Sequence, residues 1–171
     1  MAPDFYRQLG TGVSSLTFGV ALSVFIFAVA SRAVLGITAW LLFATSFLLM
    51  LRFWWRYNEL FVQFLPSRTF WHFVFDFLAA FFGILAVLFV GDIKLWALAG
   101  FLAMVSSMIR CGLSWRDAGK AKNALRNTAA GAAVMAVLLG AVYVMASAAV
   151  AVAAGVFVLV LVFVVYSSRK K

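Results

Sequence analysis

Long apolar segments alternate with short polar ones along the whole chain. Each apolar segment is rich in Leu, Val, Phe and Ala and is close to the roughly 20 helical residues that cross a hydrocarbon layer about 30 Å thick. The segments run over about 13–30, 33–51, 70–90, 93–113, 129–146 and 148–166. The pattern predicts an all-α protein with a single transmembrane domain over 1–171, a polytopic membrane bundle of six transmembrane helices.

The first and last segments each need an interpretation. Arg7 precedes the first segment and Ala28 and Ala30 end it, so this segment is either a retained span, which we favour, or a cleaved signal peptide. The last two segments form one apolar stretch, whereas a helix of about 40 residues would be about 60 Å long, twice the hydrocarbon thickness. A hairpin turn is therefore predicted near Ser147.

Two connections between the segments are amphipathic. Over 52–65, aromatic and apolar residues such as Trp54 recur at helical spacing, which predicts that the second helix continues beyond the bilayer or bends along it until Pro66, with Ser67 as N-cap of the next helix. Over 114–126, a capping-box pattern precedes a basic stretch in which Trp115 and Leu125 are candidate membrane anchors. This second pattern, which begins Ser114-x-x-Asp117, predicts a short interfacial helix.

Composition and charge agree with a membrane location. The chain is 67% hydrophobic and 11% charged, with a mean hydropathy of +1.11, whereas soluble domains are about a quarter charged. The net charge is +9, but the basic residues stand between apolar segments, where they face anionic lipid, so nucleic acid is not expected as a partner.

The distribution of basic residues predicts the orientation. With six spans, Arg32 and Lys94 lie on one side of the membrane and the other twelve Lys and Arg lie on the opposite side. These twelve are Arg7, Arg52, Arg56, Arg68, Arg110, Arg116, Lys120, Lys122, Arg126, Arg169, Lys170 and Lys171. The positive-inside rule then places both termini in the cytoplasm, and the anionic lipids of the cytoplasmic face are the expected partner of this side.

Asp76 is the only acidic residue well inside a predicted span. His72 precedes it by four residues and Arg68 precedes His72 by four, so all three project from one helical face. Ionisable groups are costly within a membrane and have either of two uses here. They fix packing through hydrogen bonds with each other or a neighbouring helix, or they form a proton or cation relay.

Small residues form a stripe on the first predicted span, where Gly12, Ser15, Gly19 and Ser23 recur every three or four positions. Such a stripe permits close helix packing, and its hydroxyl groups also suit a narrow aqueous path. Both uses stay open.

Several kinds of chemistry lack their residues. His72 is the single histidine and Cys111 the single cysteine, too few for a bis-histidine haem, a zinc site, an iron–sulfur cluster or an intrachain disulfide. Phosphate-binding loops, nucleophile elbows and paired carboxylates are also missing from the sequence. The sequence therefore predicts neither an enzyme nor a cofactor.

The segment from Ser46 to Phe61 resembles the end of the second helix in the transmembrane protein 175 family. The matching positions are Ser46, Phe47, Trp54, Leu60 and Phe61. The chain length, six spans and cytoplasmic ends are also similar to the prokaryotic members, and Asp76 lies near the position of a family Asn. The resemblance implies a potassium-permeable homotetrameric channel built around the first helix.

The chain departs from this family at the first-helix signature. The family pattern Phe-Ser-Asp-Gly would fall at residues 16–19, where only Gly19 is retained and Thr17 replaces the Ser. Tyr57 and Asn58 replace a pair of His in the second helix. The family's ion selectivity is therefore not implied for this chain.

Three functional hypotheses follow for this predicted multi-pass protein of the cell membrane. The first is a channel-like subunit that conducts cations such as potassium as a homo-oligomer, along Ser15, Gly19 and Ser23, with Ile26 or Phe27 as an apolar constriction. The second is a non-catalytic scaffold or accessory subunit with partners in a larger membrane complex. The third is a proton-coupled transporter that uses Asp76.

Overall fold

The described part of the chain is helical apart from short turns. The computed structural model describes residues 8, 12, 15–16, 18–24, 26–27, 30, 36–62, 69–145 and 149–169. Its longer helices are α1 (Ile37–Arg56), α2 (Phe70–Leu88), α3 (Ile93–Ser114), α4 (Lys122–Val144) and α5 (Ala149–Arg169). A π-helix, Tyr57–Val62, continues α1, and a 3-10 helix, Gly119–Ala121, precedes α4. The predicted all-α class is confirmed over these residues.

Four helical segments are long and apolar enough to cross a membrane: Ile37–Phe61, Phe70–Leu88, Ile93–Ser114 and Gly119–Val144. This arrangement is that of a multi-pass membrane protein. Of α5, the segment Ala153–Val162 is apolar but shorter. The predicted total of six spans and the cytoplasmic position of both ends stay predictions.

A tight turn joins α2 to α3. Asp92 is the N-cap of α3, and its Oδ1 accepts hydrogen bonds from the amides of Lys94 at 2.9 Å and Leu95 at 3.1 Å. An Asp at this position caps the free amides of a helix start. The chain therefore reverses direction immediately after α2, which sets α2 and α3 side by side along their length.

The first turn of α2 begins later than the sequence suggested. Thr69 is its N-cap, with an extended backbone and a hydroxyl oxygen that accepts from the amide of His72 at 3.4 Å. The predicted cap, Ser67, lies outside the described residues, as does Pro66. A Thr in this position satisfies the same orphan amide that a Ser would.

Helical structure does continue beyond α1, through the π-helix Tyr57–Val62. Tyr57, Leu60 and Phe61 are buried there and pack with Cys111 of α3. The wider helical turn brings Leu60 as well as Phe61 to the protein side. This segment therefore belongs to the bundle over its described length.

Within 114–126 the helical residues are those of the 3-10 helix and of the first turns of α4, so no separate α-helix forms there, and an interfacial position stays a prediction. A turn and the 3-10 helix lead directly into α4, which starts at Lys122 and not near 129. Leu125 is fully buried against the π-helix, so the segment packs into the bundle and does not lie apart from it. Gly119 has a φ of +43°, which suits a residue without a Cβ. Ser114 ends α3 and caps no following helix.

The central core is formed by all five helices. The fully buried side chains that meet there are Leu42 and Phe43 of α1, Val87 of α2, Trp96 of α3, Leu139 of α4 and Val160 of α5. Helix α3 packs along both α2 and α4, and α5 packs on α1. Helices α4 and α5 are separate, although the predicted turn residue Ser147 lies outside the described residues.

Candidate functional site

A buried ion pair joins α2 to α3. Nε of Arg110 donates to Oδ1 of Asp76 at 3.0 Å. The two side chains are 2% and 6% exposed, so neither charge is solvated from outside the bundle. An isolated charge in this position would be expensive, whereas opposite charges in contact offset much of that desolvation.

Three further side chains surround the ion pair. The hydroxyl of Tyr57 donates to the second oxygen of Asp76, Oδ2, at 3.1 Å. Nη1 of Arg110 donates to the hydroxyl of Ser114, one turn further along α3. The ring of Phe61 lies under the guanidinium, with its centroid 4.5 Å from Cζ. Residues from the π-helix, α2 and α3 are thus held together by one polar cluster, a geometry in which both charges have neutral hydrogen-bonding or aromatic neighbours.

The prediction that Arg110 faces lipid headgroups is wrong, because the side chain of Arg110 is buried in the bundle. It lies in the last turns of α3 and points into the bundle. The available signal was Asp76 itself, because an acid within a span requires a compensating charge and Arg110 is a basic residue inside the following predicted span, 93–113. The predicted orientation, which stays a prediction, keeps eleven of the twelve basic residues on one side against two on the other.

His72 does not contact Asp76 through a hydrogen bond. Its Nδ1 lies 3.0 Å from the hydroxyl oxygen of Thr69. Its Nε2 is buried without a hydrogen bond of normal geometry among the described residues, although the backbone of Leu113 lies close to the ring. The third member of the predicted face, Arg68, lies outside the described residues. The structure therefore brings His72 and Asp76 to one buried face with separate partners.

A second buried polar contact joins α1 to α3. The indole Nε1 of Trp96 donates to the hydroxyl of Ser46 at 2.7 Å, and this hydroxyl donates to the carbonyl of Leu42 at 2.9 Å. Among the other positions that carry the family resemblance, Phe47 and Trp54 are half-buried. All these positions therefore lie at least partly inside the bundle, with Ser46 in its polar core.

A cavity of about 90 Å³ lies between the two polar contacts. Its walls come from α1 to α4 and from the described helical residues between 8 and 30, which we call the N-terminal helical segment. Most of the lining residues are apolar, while Ser46, Tyr57, Asp76 and Ser107 contribute polar groups. A cavity with mostly apolar walls binds an apolar molecule or contains no ordered water.

The small-residue stripe of the N-terminal segment lies on the outside of the bundle. Ser15, Gly19 and Ser23 are exposed, and the hydroxyl of Ser23 donates to the carbonyl of Gly19 at 2.8 Å. Ile26 is 60% and Phe27 70% exposed on the same segment. Because a single chain leaves these residues uncovered, lipid or another protein surface must cover them in the membrane.

Within the described ranges, no three His, Cys, Asp or Glu side chains come close enough together to hold a metal ion. Comparison of the chain with protein-family models, with curated proteins and with solved structures finds no match. The class of protein therefore rests on the four long apolar helices, and the function has to be argued from the site.

Proposed function

We propose that the chain is a channel-like membrane subunit that assembles as a homo-oligomer and conducts cations such as potassium along its N-terminal helical segment. The observation that carries the proposal is the exposure of Ser15, Gly19, Ser23 and Ile26 on a single chain. A face of small and hydroxyl-bearing residues is suited to close helix contact and to a narrow polar path. The resemblance around Ser46 supports the same proposal.

The rest of the bundle supports such an arrangement as a rigid frame. The ring of Phe18, on the N-terminal segment, packs on Trp54 of α1 with centroids 4.8 Å apart. Ala21 is buried three residues further on. The side of the segment that bears Phe18 therefore packs on the bundle, while Gly19 and Ser23 stay outside, available to a second copy.

Potassium flux tests this proposal. The purified chain, placed in liposomes with an outward potassium gradient, is expected to release potassium faster than empty liposomes do. The Gly19→Leu variant should lose both the flux and the oligomer. Gly19 is exposed and a Cβ there meets no atom within 4 Å in the single chain, so the variant monomer is expected to fold, which its circular dichroism spectrum checks.

The matched control is Gly155→Leu on α5, where a Cβ also meets nothing within 4 Å. This variant should keep the flux and the oligomer. Absence of flux above empty liposomes, from a preparation shown to be folded and oligomeric, would remove the channel proposal. Equal loss in both variants would remove the assigned face.

A second candidate function is that of a non-catalytic accessory or scaffold subunit in a larger membrane complex. The pairing of Asp76 with Arg110 favours it, because this acid is already neutralised and offers no uncompensated charge to a passing ion. Mass measurement on the natively expressed protein in mild detergent separates the two. A homo-oligomer argues for the channel, and stable co-purification of other chains argues for the accessory role.

Proton-coupled transport through Asp76 gains support only from the position of this residue on the cavity wall. The Asp76→Asn variant would then lose the pH dependence of transport. Unchanged pH dependence in a variant that is expressed and folded would leave Asp76 with a packing role alone.

A further inference from the structure

One end of the bundle carries four exposed cationic side chains. They follow one another between the end of α3 and the second turn of α4: Arg116, Lys120, Lys122 and Arg126. None of them forms an ion pair with another residue of the described ranges. Asp117 is the single acid in the sequence between Ser114 and Arg126. We call these four side chains the basic end.

The start of α4 increases the positive potential at the basic end. Its first turn contains no acidic residue and no side chain caps its start, although the amide of Lys122 donates to the carbonyl of Gly119 in the preceding 3-10 helix. The amino end of a helix carries a partial positive charge, which normally favours acids and disfavours Lys and Arg. Lys122 and Arg126 are four residues apart and so share a face of α4. A bound anion beside this face would offset the repulsion between Lys122, Arg126 and the partial positive charge at the start of α4.

Exposed tryptophan residues flank the basic end. Trp115 is exposed in the turn that follows α3. Trp71 is exposed in the first turn of α2, which reaches the same end of the bundle because Asp76 pairs with Arg110. Tryptophan is enriched at the level of lipid headgroups. Cations flanked by exposed tryptophans are the pattern expected of a segment at the level of the lipid headgroups.

We propose that the basic end binds the headgroup of an anionic phospholipid. Lys122 and Arg126 supply donors from one helix face, and Lys120 and Arg116 supply donors from the preceding turn. Charge complementarity argues for a lipid with a net negative charge, and the flanking Trp115 argues for an occupant whose chains remain in the bilayer. This inference concerns a different surface from the proposed conducting face.

Lipid titration of the full chain in the neutral detergent dodecyl maltoside tests the proposal. Dioleoylphosphatidylglycerol is expected to bind in native mass spectra and to raise the unfolding midpoint, whereas dioleoylphosphatidylcholine is expected to do neither. The triple variant K120Q/K122Q/R126Q should bind phosphatidylglycerol on the order of a hundredfold more weakly, because each of the three cations near such a surface contributes roughly a fivefold effect.

Two further variants keep the test specific. Lys94→Gln removes one exposed cation at the opposite end of α3 and should leave lipid binding unchanged. The charge-preserving K120R/K122R variant should retain binding. It therefore separates loss of charge from loss of fold.

Three results would overturn the proposal. The first is equal affinity for the anionic and the zwitterionic lipid. The second is a triple variant, shown to be folded, that binds phosphatidylglycerol like the parent chain. The third is equal stabilisation by free glycerol phosphate, which would mark a phosphate site without a lipid requirement.

Discussion

Removal of the charge of Asp76 should destabilise the folded bundle strongly. In Asp76→Asn the side chain keeps its shape, but Arg110 is left 2% exposed with its positive charge uncompensated. Loss of one partner of a buried pair costs about 3–5 kcal/mol. The retained amide oxygen still accepts a hydrogen bond, so a value near the lower limit, about 3 kcal/mol, is expected.

Equilibrium unfolding in mixed micelles of dodecyl maltoside and dodecyl sulfate measures this free energy. Asp92→Asn is the matched control because Asp92 is exposed and caps α3 through one oxygen, a role that Asn fills almost equally well. The control should change the free energy of unfolding by less than about 0.5 kcal/mol.

Replacement of both charges tests the same reasoning from the other side. The double variant Asp76→Leu with Arg110→Met removes both desolvated groups, and exchanges of this kind are often neutral or stabilising. It should therefore be more stable than Asp76→Asn alone. The reasoning is refuted if Asp76→Asn costs less than about 1 kcal/mol. It is also refuted if the double variant loses as much free energy of unfolding as the sum of the losses measured for Asp76→Leu alone and for Arg110→Met alone.

Three smaller predictions follow from the packing. Gly83 lies on the cavity wall, where a Cβ meets nothing within 4 Å, so Gly83→Ala should stabilise α2 by about 0.5–1 kcal/mol. Gly100→Ala should stabilise the protein less or destabilise it, because its Cβ would lie 3.1 Å from a methyl group of Leu139. Both are measured as unfolding midpoints. Trp96→Phe should cost about 0.5–1.5 kcal/mol by removing the indole N–H that donates to the buried hydroxyl of Ser46, which keeps its hydrogen bond to Leu42, whereas Trp115→Phe, at an exposed site, should change little. Cys111 is buried and should react with a water-soluble maleimide only after dodecyl sulfate is added; rapid labelling in mild detergent would contradict its position.

The helices were predictable because their apolar content and length are set by the hydrocarbon layer. The segment 70–90 corresponds to α2 and the segment 93–113 to α3, within a few residues at each end. The start of α4 was not predicted, because the basic residues before 129 were assigned to a separate interfacial helix. Only the burial of Leu125 against the π-helix shows why the helix begins earlier.

Of the buried polar cluster around Asp76, the sequence identified the acid but not its hydrogen-bonding partners. Asp76 stood out because an acid within an apolar segment is rare, but its partners depend on how far α2 and α3 slide along each other. The spacing along one helix suggested His72, whereas Arg110 and Tyr57 come from other segments. Periodicity within a helix contains no information about the register between helices, so these contacts needed the three-dimensional structure.

The pairing of Asp76 with Arg110 has a consequence for how the chain enters the membrane. The two residues lie on consecutive helices that a tight turn joins, so they are synthesised shortly after one another and can meet before any later helix exists. Either helix inserted alone would expose a charge to hydrocarbon, whereas a helical hairpin inserted as one unit would not. Biogenesis of this protein therefore favours joint release of α2 and α3 from the translocation machinery, with the ion pair already closed.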